Sequence, residues 1–410
     1  MTTSLNPIYN SKAIAASIAV AVVGWAVFMG LPIMVGALVE FRGFSEEQVG
    51  YLASADLGGM FISSIIVSLR ISRMDRRFWV ITGIFIAIFA DVVAIYSYEF
   101  WPMLFIRVVA GIGAGLCYSI ALANLAATSN NARNFSYLIF TLVTVNFLEL
   151  YSLEVISDNW GVSGIFVTFI AINVLCLFAY PYLPRGKYAS NHITSKSEAE
   201  LAVTSGHLAE TAPAVSHQYN LPLLSMLCLT AIACFYIMIG AFWAYIERMG
   251  VTAEFDDNFI AASLSITTLL SLVGCYVAYS LSKVQGQSKP LIAAPIVIAI
   301  ILIWLGLHTV AFTFVAVLMI YQLLWNGVDI FQLGTLANID HSGRFIALVP
   351  AAQGVGQTVG PSMAGFMVGQ GYGYDAVMTM CAIAAVCTSM IYAYVYADLK
   401  RKAPTLADAR

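Results

Sequence analysis

Long apolar runs separated by short polar breaks dominate this chain. A run of about 20 apolar residues can cross the hydrocarbon core as a helix. Such runs predict spans near 12–39, 48–70, 77–97, 100–126, 134–157, 162–183, 221–247, 258–281, 289–308, 311–336, 344–369 and 374–397. The breaks are mostly very short, so consecutive spans should run antiparallel. One break differs: Pro184 to Asn220 is rich in Ser, Ala, Glu and His and has no long apolar run. It reads as a flexible or weakly helical linker. The pattern predicts an all-α membrane protein with twelve transmembrane helices in two six-helix bundles. Residues 1–183 form the first half, 184–220 the linker, and 221–410 the second half with a short tail.

Composition agrees with the pattern. Of 410 residues, 60% are hydrophobic and only 10% charged, whereas a soluble domain carries about 25% charged residues. A lipid-facing surface accounts for that excess; a soluble core does not. The apolar run from Ala13 is too long for a signal-peptide core and is expected to stay as the first span.

Charge then adds orientation. With both termini inside, sixteen of the 19 lysines and arginines fall on the cytoplasmic side, among them Arg73, Arg76, Arg77, Arg133, Lys283 and Arg344. Only Arg42 and Arg248 fall outside, and Arg107 lies within a span. This bias predicts cytoplasmic termini and an even number of spans; the expected location is a bacterial-type inner membrane.

Several function classes lose support. No basic tail or stripe favours nucleic acid. The seven cysteines all lie in apolar runs without CxxC spacing, and the five histidines lie in the linker, at a helix end or in a loop. No metal site and no catalytic nucleophile follow from them, so neither a metal, a cofactor nor an enzyme is expected. No GxxxxGK[ST] element occurs, which leaves a proton gradient rather than ATP as the energy source. The expected partners are the bilayer, protons and a small-molecule substrate, and the chain is expected to be a monomer.

The two halves repeat. Glu40-Phe-Arg-Gly43 matches Glu247-Arg-Met-Gly250 at offset 207; Ser72-Arg73 matches Ser282-Lys283 at offset 210. Leu125-Ala126 with Arg133 matches Leu336-Ala337 with Arg344 at offset 211. A parallel duplication of this kind places a substrate site near the midplane where the halves meet.

Six ionisable residues fall within the spans: Asp56, Asp91, Arg107, Glu149, Glu154 and Asp329. Each is costly in lipid and should face the bundle interior, a partner or water. A carboxylate taken out of water holds its proton more tightly and can exchange it near neutral pH. Glu149, near the middle of the fifth span with Asn146 on the same face, is the first candidate for proton or substrate coupling. The alternative is an interhelical clamp. Asp56 follows, as a coupling group or as a partner for the eleventh span. Arg107 either pairs with Asp91 as a structural pin or serves function directly. Asp329 can bind, cap or gate. Aromatic residues near span centres are Trp25, Phe28, Tyr236, Trp243, Tyr321 and Trp325; together they suggest an amphipathic or ring-bearing solute. Pro32 removes a ladder bond and predicts a bend in the first span.

Three motifs carry a resemblance. Arg107-Val-Val-Ala-Gly111-Ile-Gly113-Ala-Gly115 looks like the RxxxGxGxG element of the major facilitator superfamily. The loop Ser68 to Arg77 is similar to that family's GxxxDRxGRR signature at Arg73, Arg76 and Arg77, but not at Ser68, Ser72 and Asp75. Gly356-Gln-Thr-Val-Gly360-Pro361-Ser-Met-Ala364-Gly365 looks like its GxxxGPxxxG packing element. Drug/proton antiporters of the family carry that element on the fifth span. Here, at offset 211, Glu149 stands where Gly360 does and Glu154 where Gly365 does. The resemblance implies secondary active transport of a small organic solute by alternating access, coupled to protons. It leans toward uptake (symport) of an organic acid or aromatic compound. The rival is proton-driven efflux of a metabolite, siderophore-like product or toxic compound. A third reading is a non-transporting sensor on the same scaffold. Only Arg107 could balance an anionic solute, which weighs against a simple anion carrier.

Overall fold

The computed structural model describes residues 10–71, 73–126, 128, 131–184, 222–285, 287–340, 345 and 348–402. Most of the expected linker, with Arg344 and the tail beyond 402, lies outside them. The chain divides into two compact units, Met1–Ser197 and Glu198–Arg410.

The first unit holds α1 (Ser11–Met29), α2 (Leu31–Arg42), α3 (Glu46–Arg70), α4 (Arg76–Tyr96), α5 (Phe100–Ala126) and α6 (Asn131–Leu177). The second holds α7 (Pro222–Thr252), α8 (Asp257–Thr268), α9 (Leu270–Gln285), α10 (Ser288–Leu307), α11 (Ala311–Ile339), α12 (Val349–Gly369) and α13 (Tyr374–Lys402). No strand occurs among the described residues.

These helices make twelve spans. α1 and α2 together form the first, broken at Gly30. Pro32 stands at the start of α2, where its missing N–H costs least, so the bend expected from that proline is a helix break. α8 and α9 likewise form the eighth span, with Leu269 between them. α6 contains two spans. Its 47 residues are non-helical only at Gly161, with φ 59° and ψ −156°. At about 1.5 Å per residue a straight helix of that length would more than double the hydrocarbon thickness. The side chains of Leu153 and Phe169 both approach Gly30, so the chain folds back at Gly161. Glycine tolerates that backbone; a Cβ would strain it. Ten described helices meet a strict standard of length and hydropathy for crossing a membrane, α6 counting as one. α12, diluted by glycine and glutamine, is not among the ten.

Within the first unit α5 is central and packs on α3, α4 and α1. Arg42 closes the end of α4 by donating to the carbonyls of Ile95 (2.6 Å) and Ser97 (2.9 Å), which the helix terminus leaves unsatisfied. Within the second unit α7 packs on α12 and α13, α10 on α13 and α11, and α9 on α11.

Glycines carry close helix contacts in both units, and in the second Gly274 of α9 lies against the Leu323 backbone of α11. In the first, α3 meets α5 through Gly59, Gly111 and Gly115. In the second, α7 meets α12 through Gly240, Gly356 and Gly360: a Cβ on Gly356 would lie 2.5 Å from the Ala233 carbonyl oxygen. Small residues let helix backbones approach this closely. Pro361 lies buried in α12 beside Gly240.

Candidate functional site

The first polar cluster is built on α5. The Arg107 guanidinium grips Asp56 of α3 in two parallel bonds, Nε to Oδ2 at 2.6 Å and Nη2 to Oδ1 at 2.8 Å. Its remaining nitrogen, Nη1, donates to Asp91 Oδ1 of α4 at 2.9 Å. All three side chains are buried. Such a fork-to-fork pair is geometrically specific as well as strong. The sequence paired Arg107 with Asp91 and offered the eleventh span to Asp56. In the structure Arg107 engages both acids.

The glycines after Arg107 explain why α5 can come so near. A Cβ on Gly111 would overlap the Asp56 carbonyl oxygen. One on Gly115 would lie 2.6 Å from the Met60 carbonyl oxygen, and one on Gly113 2.6 Å from that of Gly83. Gly111 and Gly115 therefore serve the α3 contact and Gly113 the α4 contact. The RxxxGxGxG element supplies one base for two acids together with the small surface that lets them reach it.

Glu149 differs. It lies in the first arm of α6, is 5% exposed, and neither carboxylate oxygen has a hydrogen-bond partner among the described residues. Asn146 therefore does not donate to it, and the Asn146 side-chain oxygen is itself unpartnered. Glu149 faces the break in the first span: a Cβ on Gly30 would lie 3.2 Å from Glu149 Oε1. At the equivalent place in the second unit Gly240 meets Gln357 and Pro361, while Gly360 packs on Ile237 and Ala241. The carboxylate stands where the other unit has a glycine contact. Glu154, one turn on, is half-buried.

In the second unit Asp329 of α11 is half-buried. Its Oδ2 accepts the Tyr236 hydroxyl of α7 at 2.8 Å, and that hydroxyl accepts Gln353 Nε2 of α12 at 2.9 Å. Three helices thus converge on one carboxylate. Trp243 and Trp325 lie beside this chain with ring centroids 6.4 Å apart, and Tyr321 is 5.9 Å from Trp325. Trp243 and Tyr321 are buried, Trp325 half-buried. In the first unit Trp25 stacks on Tyr118 at 4.6 Å and meets Phe28 at 4.7 Å.

The loop motif has a structural content of its own. Arg76 is buried and donates to Asn124 Oδ1 (3.1 Å) and the Ala123 carbonyl (3.3 Å). Arg77 lies over the Tyr180 ring at 3.8 Å, and Arg73 is exposed. Asp75 caps α4 by accepting the N–H groups of Arg77 and Phe78. Asp75→Ala should cost about 1 kcal/mol, read as a lower melting temperature in detergent.

An open apolar groove of about 690 Å³ runs between α3 and α5, lined by Tyr51, Ala55, Trp101, Leu104 and Val108 among others. None of the residues singled out from the sequence lines it.

Sequence reasoning missed Gln353, Gln357, Gly30 and Gly83. The two glutamines were visible as polar residues four apart in an apolar span, hence on one helical face.

Twelve helical spans with ionisable groups buried between them define a polytopic membrane protein. The family model of the Major Facilitator Superfamily matches residues 16–339, and the chain belongs to that superfamily. No curated protein matches the sequence significantly. Many solved structures share the fold, three transporters among them. A proton-dependent oligopeptide transporter aligns with TM-score 0.69 at 13% identity, covering 96% of this chain and 100% of its own. A D-xylose–proton symporter aligns with TM-score 0.71 at 14% identity, covering 93% and 96%. A nucleoside transporter aligns with TM-score 0.68 at 9% identity, covering 94% and 99%.

Proposed function

We propose that this protein is a proton-coupled secondary transporter working by alternating access, with Glu149 as the group that carries the proton. The observation behind this reading is the isolation of Glu149. Asp56 and Asp91 are held by Arg107, while Glu149 is buried with no partner for either oxygen. An ionised carboxylate so placed costs several kcal/mol. It is tolerated there as the neutral acid and gives up its proton when water reaches it. Its position against the Gly30 break puts that exchange beside the weakest point of the first span.

On this reading both termini are cytoplasmic in a bacterial-type inner membrane, as the lysine and arginine bias requires, and the chain works as a monomer. Uptake remains the preferred direction, because the fifth span carries carboxylates in place of the packing element of drug antiporters. Of the two solute classes expected, the aromatic one keeps its support and the organic acid loses it. Arg107 is the sole base within the spans by sequence, and two acids already hold it. A solute carboxylate about 4 Å from a buried aspartate would meet repulsion of about 4 kcal/mol at an effective dielectric constant of about 20.

Proteoliposomes with an imposed pH gradient test the coupling, with aromatic amines, alcohols and acids as candidate solutes. One pH unit can support about tenfold accumulation per coupled proton. Glu149→Gln should drop accumulation to the level of the outside solution while leaving exchange of solute for solute intact. Full gradient-driven accumulation by Glu149→Gln would end the assignment.

A further inference from the structure

We infer that the transported solute carries a positive charge, a protonated or quaternary amine on an aromatic body, and that Asp329 is the group that receives it. This rests on the transport reading above and names its substrate class.

The argument begins with charge. Asp329 has no cationic partner among the described residues; its Oδ2 accepts Tyr236, and the Trp325 indole lies beside the carboxylate. The three helices that meet around it offer almost no base. α11 and α12 contain no Lys, Arg or His, and α7 contains only Arg248. Arg248 lies twelve residues beyond Tyr236, about 18 Å along the helix. No base on these helices balances the carboxylate, which leaves it able to receive a cationic group.

What surrounds the carboxylate suits an organic cation. Tyr321, Trp325 and Asp329 follow one another at intervals of four along α11, hence on one face. Tyr236 and Trp243 stand seven apart on α7, again on one face. Trp and Tyr rings present the negative faces that attract ammonium groups. The Tyr236 hydroxyl and Gln353 fix the orientation of Oδ2, which turns Oδ1 toward the Trp325 side of the carboxylate as the oxygen a cation would share. Gln357, one turn beyond Gln353, is 8% exposed with its Nε2 unpartnered; it can donate to a polar group on the solute body. A small inorganic cation is a poorer match, since hard cations seek six or more oxygen ligands and this site is walled by indole and phenol rings.

The test uses full-length protein in detergent and four probes that share a phenylethyl body: phenethylamine, its trimethylammonium analogue, phenethyl alcohol and phenylacetate. Binding is read by tryptophan fluorescence and by thermal shift. Both ammonium probes should bind, the trimethylammonium included, and phenylacetate should not. Asp329→Asn should weaken ammonium binding at least tenfold and leave any binding of the alcohol unchanged. Asp329→Glu should restore part of the affinity. Trp325→Phe, which keeps an aromatic face, should bind better than Trp325→Leu. Melting temperature and monodispersity of each variant separate lost binding from lost fold. Failure of both ammonium probes, tighter binding of phenylacetate, or full affinity in Asp329→Asn would overturn the inference. Counterflow in proteoliposomes is read in parallel. Ammonium binding without any solute movement would leave the site standing and sink the transport reading. Transport of another solute without ammonium binding would do the reverse.

Discussion

Arg107→Met should leave little folded protein. The substitution strands two carboxylates, Asp56 and Asp91, that are otherwise neutralised by one guanidinium inside the first unit. Removing one partner of a buried ion pair costs about 3–5 kcal/mol, against a typical total stability of about 5–15 kcal/mol. Two stranded acids put the loss at the upper end. Arg107→Lys should fail almost as badly. An ammonium cannot reproduce the paired bonds to Asp56, which measure 2.6 and 2.8 Å here. Asp91→Asn should be milder than Asp56→Asn, because Asp91 takes one bond from Arg107 and Asp56 two. The triple variant Arg107→Met, Asp56→Asn, Asp91→Asn should recover much of the loss, since no unpaired charge remains. Melting temperature and monodispersity in detergent measure each step. A stable Arg107→Met protein would show that the cluster is not what ties α3, α4 and α5 together.

The second large effect is expected at Gly111. Gly111→Val would drive a branched side chain into the Asp56 backbone. Overpacking costs about 1–3 kcal/mol where a core can adjust. Here the obstruction is a main-chain carbonyl, and retreat of α3 would also lengthen the bonds between Arg107 and Asp56. The loss should therefore exceed the usual range and include the ion pair. Gly43→Ala is the useful comparison. Gly43 has φ 68° and open space around it, so its penalty is conformational, about 1–2 kcal/mol. If both substitutions lowered the melting temperature equally, close approach would not be the reason for Gly111.

The spans were readable because a 20-residue apolar run announces itself without any knowledge of its neighbours. The gap between the predicted fifth and sixth spans, 158–161, ends on the glycine where α6 turns. Arg107 and its glycines were readable for a related reason: charge and small size in an apolar helix have few explanations. Partner choice was not readable. Whether Asp56 or Asp91 reaches Arg107 depends on how α3 and α4 are rotated about their axes, which an apolar run does not state. The same ambiguity hid the Tyr236–Asp329–Gln353 chain, whose members are 93 and 117 residues apart in sequence. Pro32 pointed to a bend, but not to Glu149 lying against it.

The single-residue joint at Gly161 has a mechanical consequence. Spans linked by a loop of several residues can tilt independently, because the loop absorbs the difference. The two arms of α6 share one hinge point, and a Cβ added there would lie 3.5 Å from the Phe41 ring at the end of α2. A tilt of the arm bearing Glu149 is therefore imposed on the arm after it and pressed onto the tip of the first span. Three spans are geared together at that joint, and lengthening it with inserted glycines would be expected to let them slip.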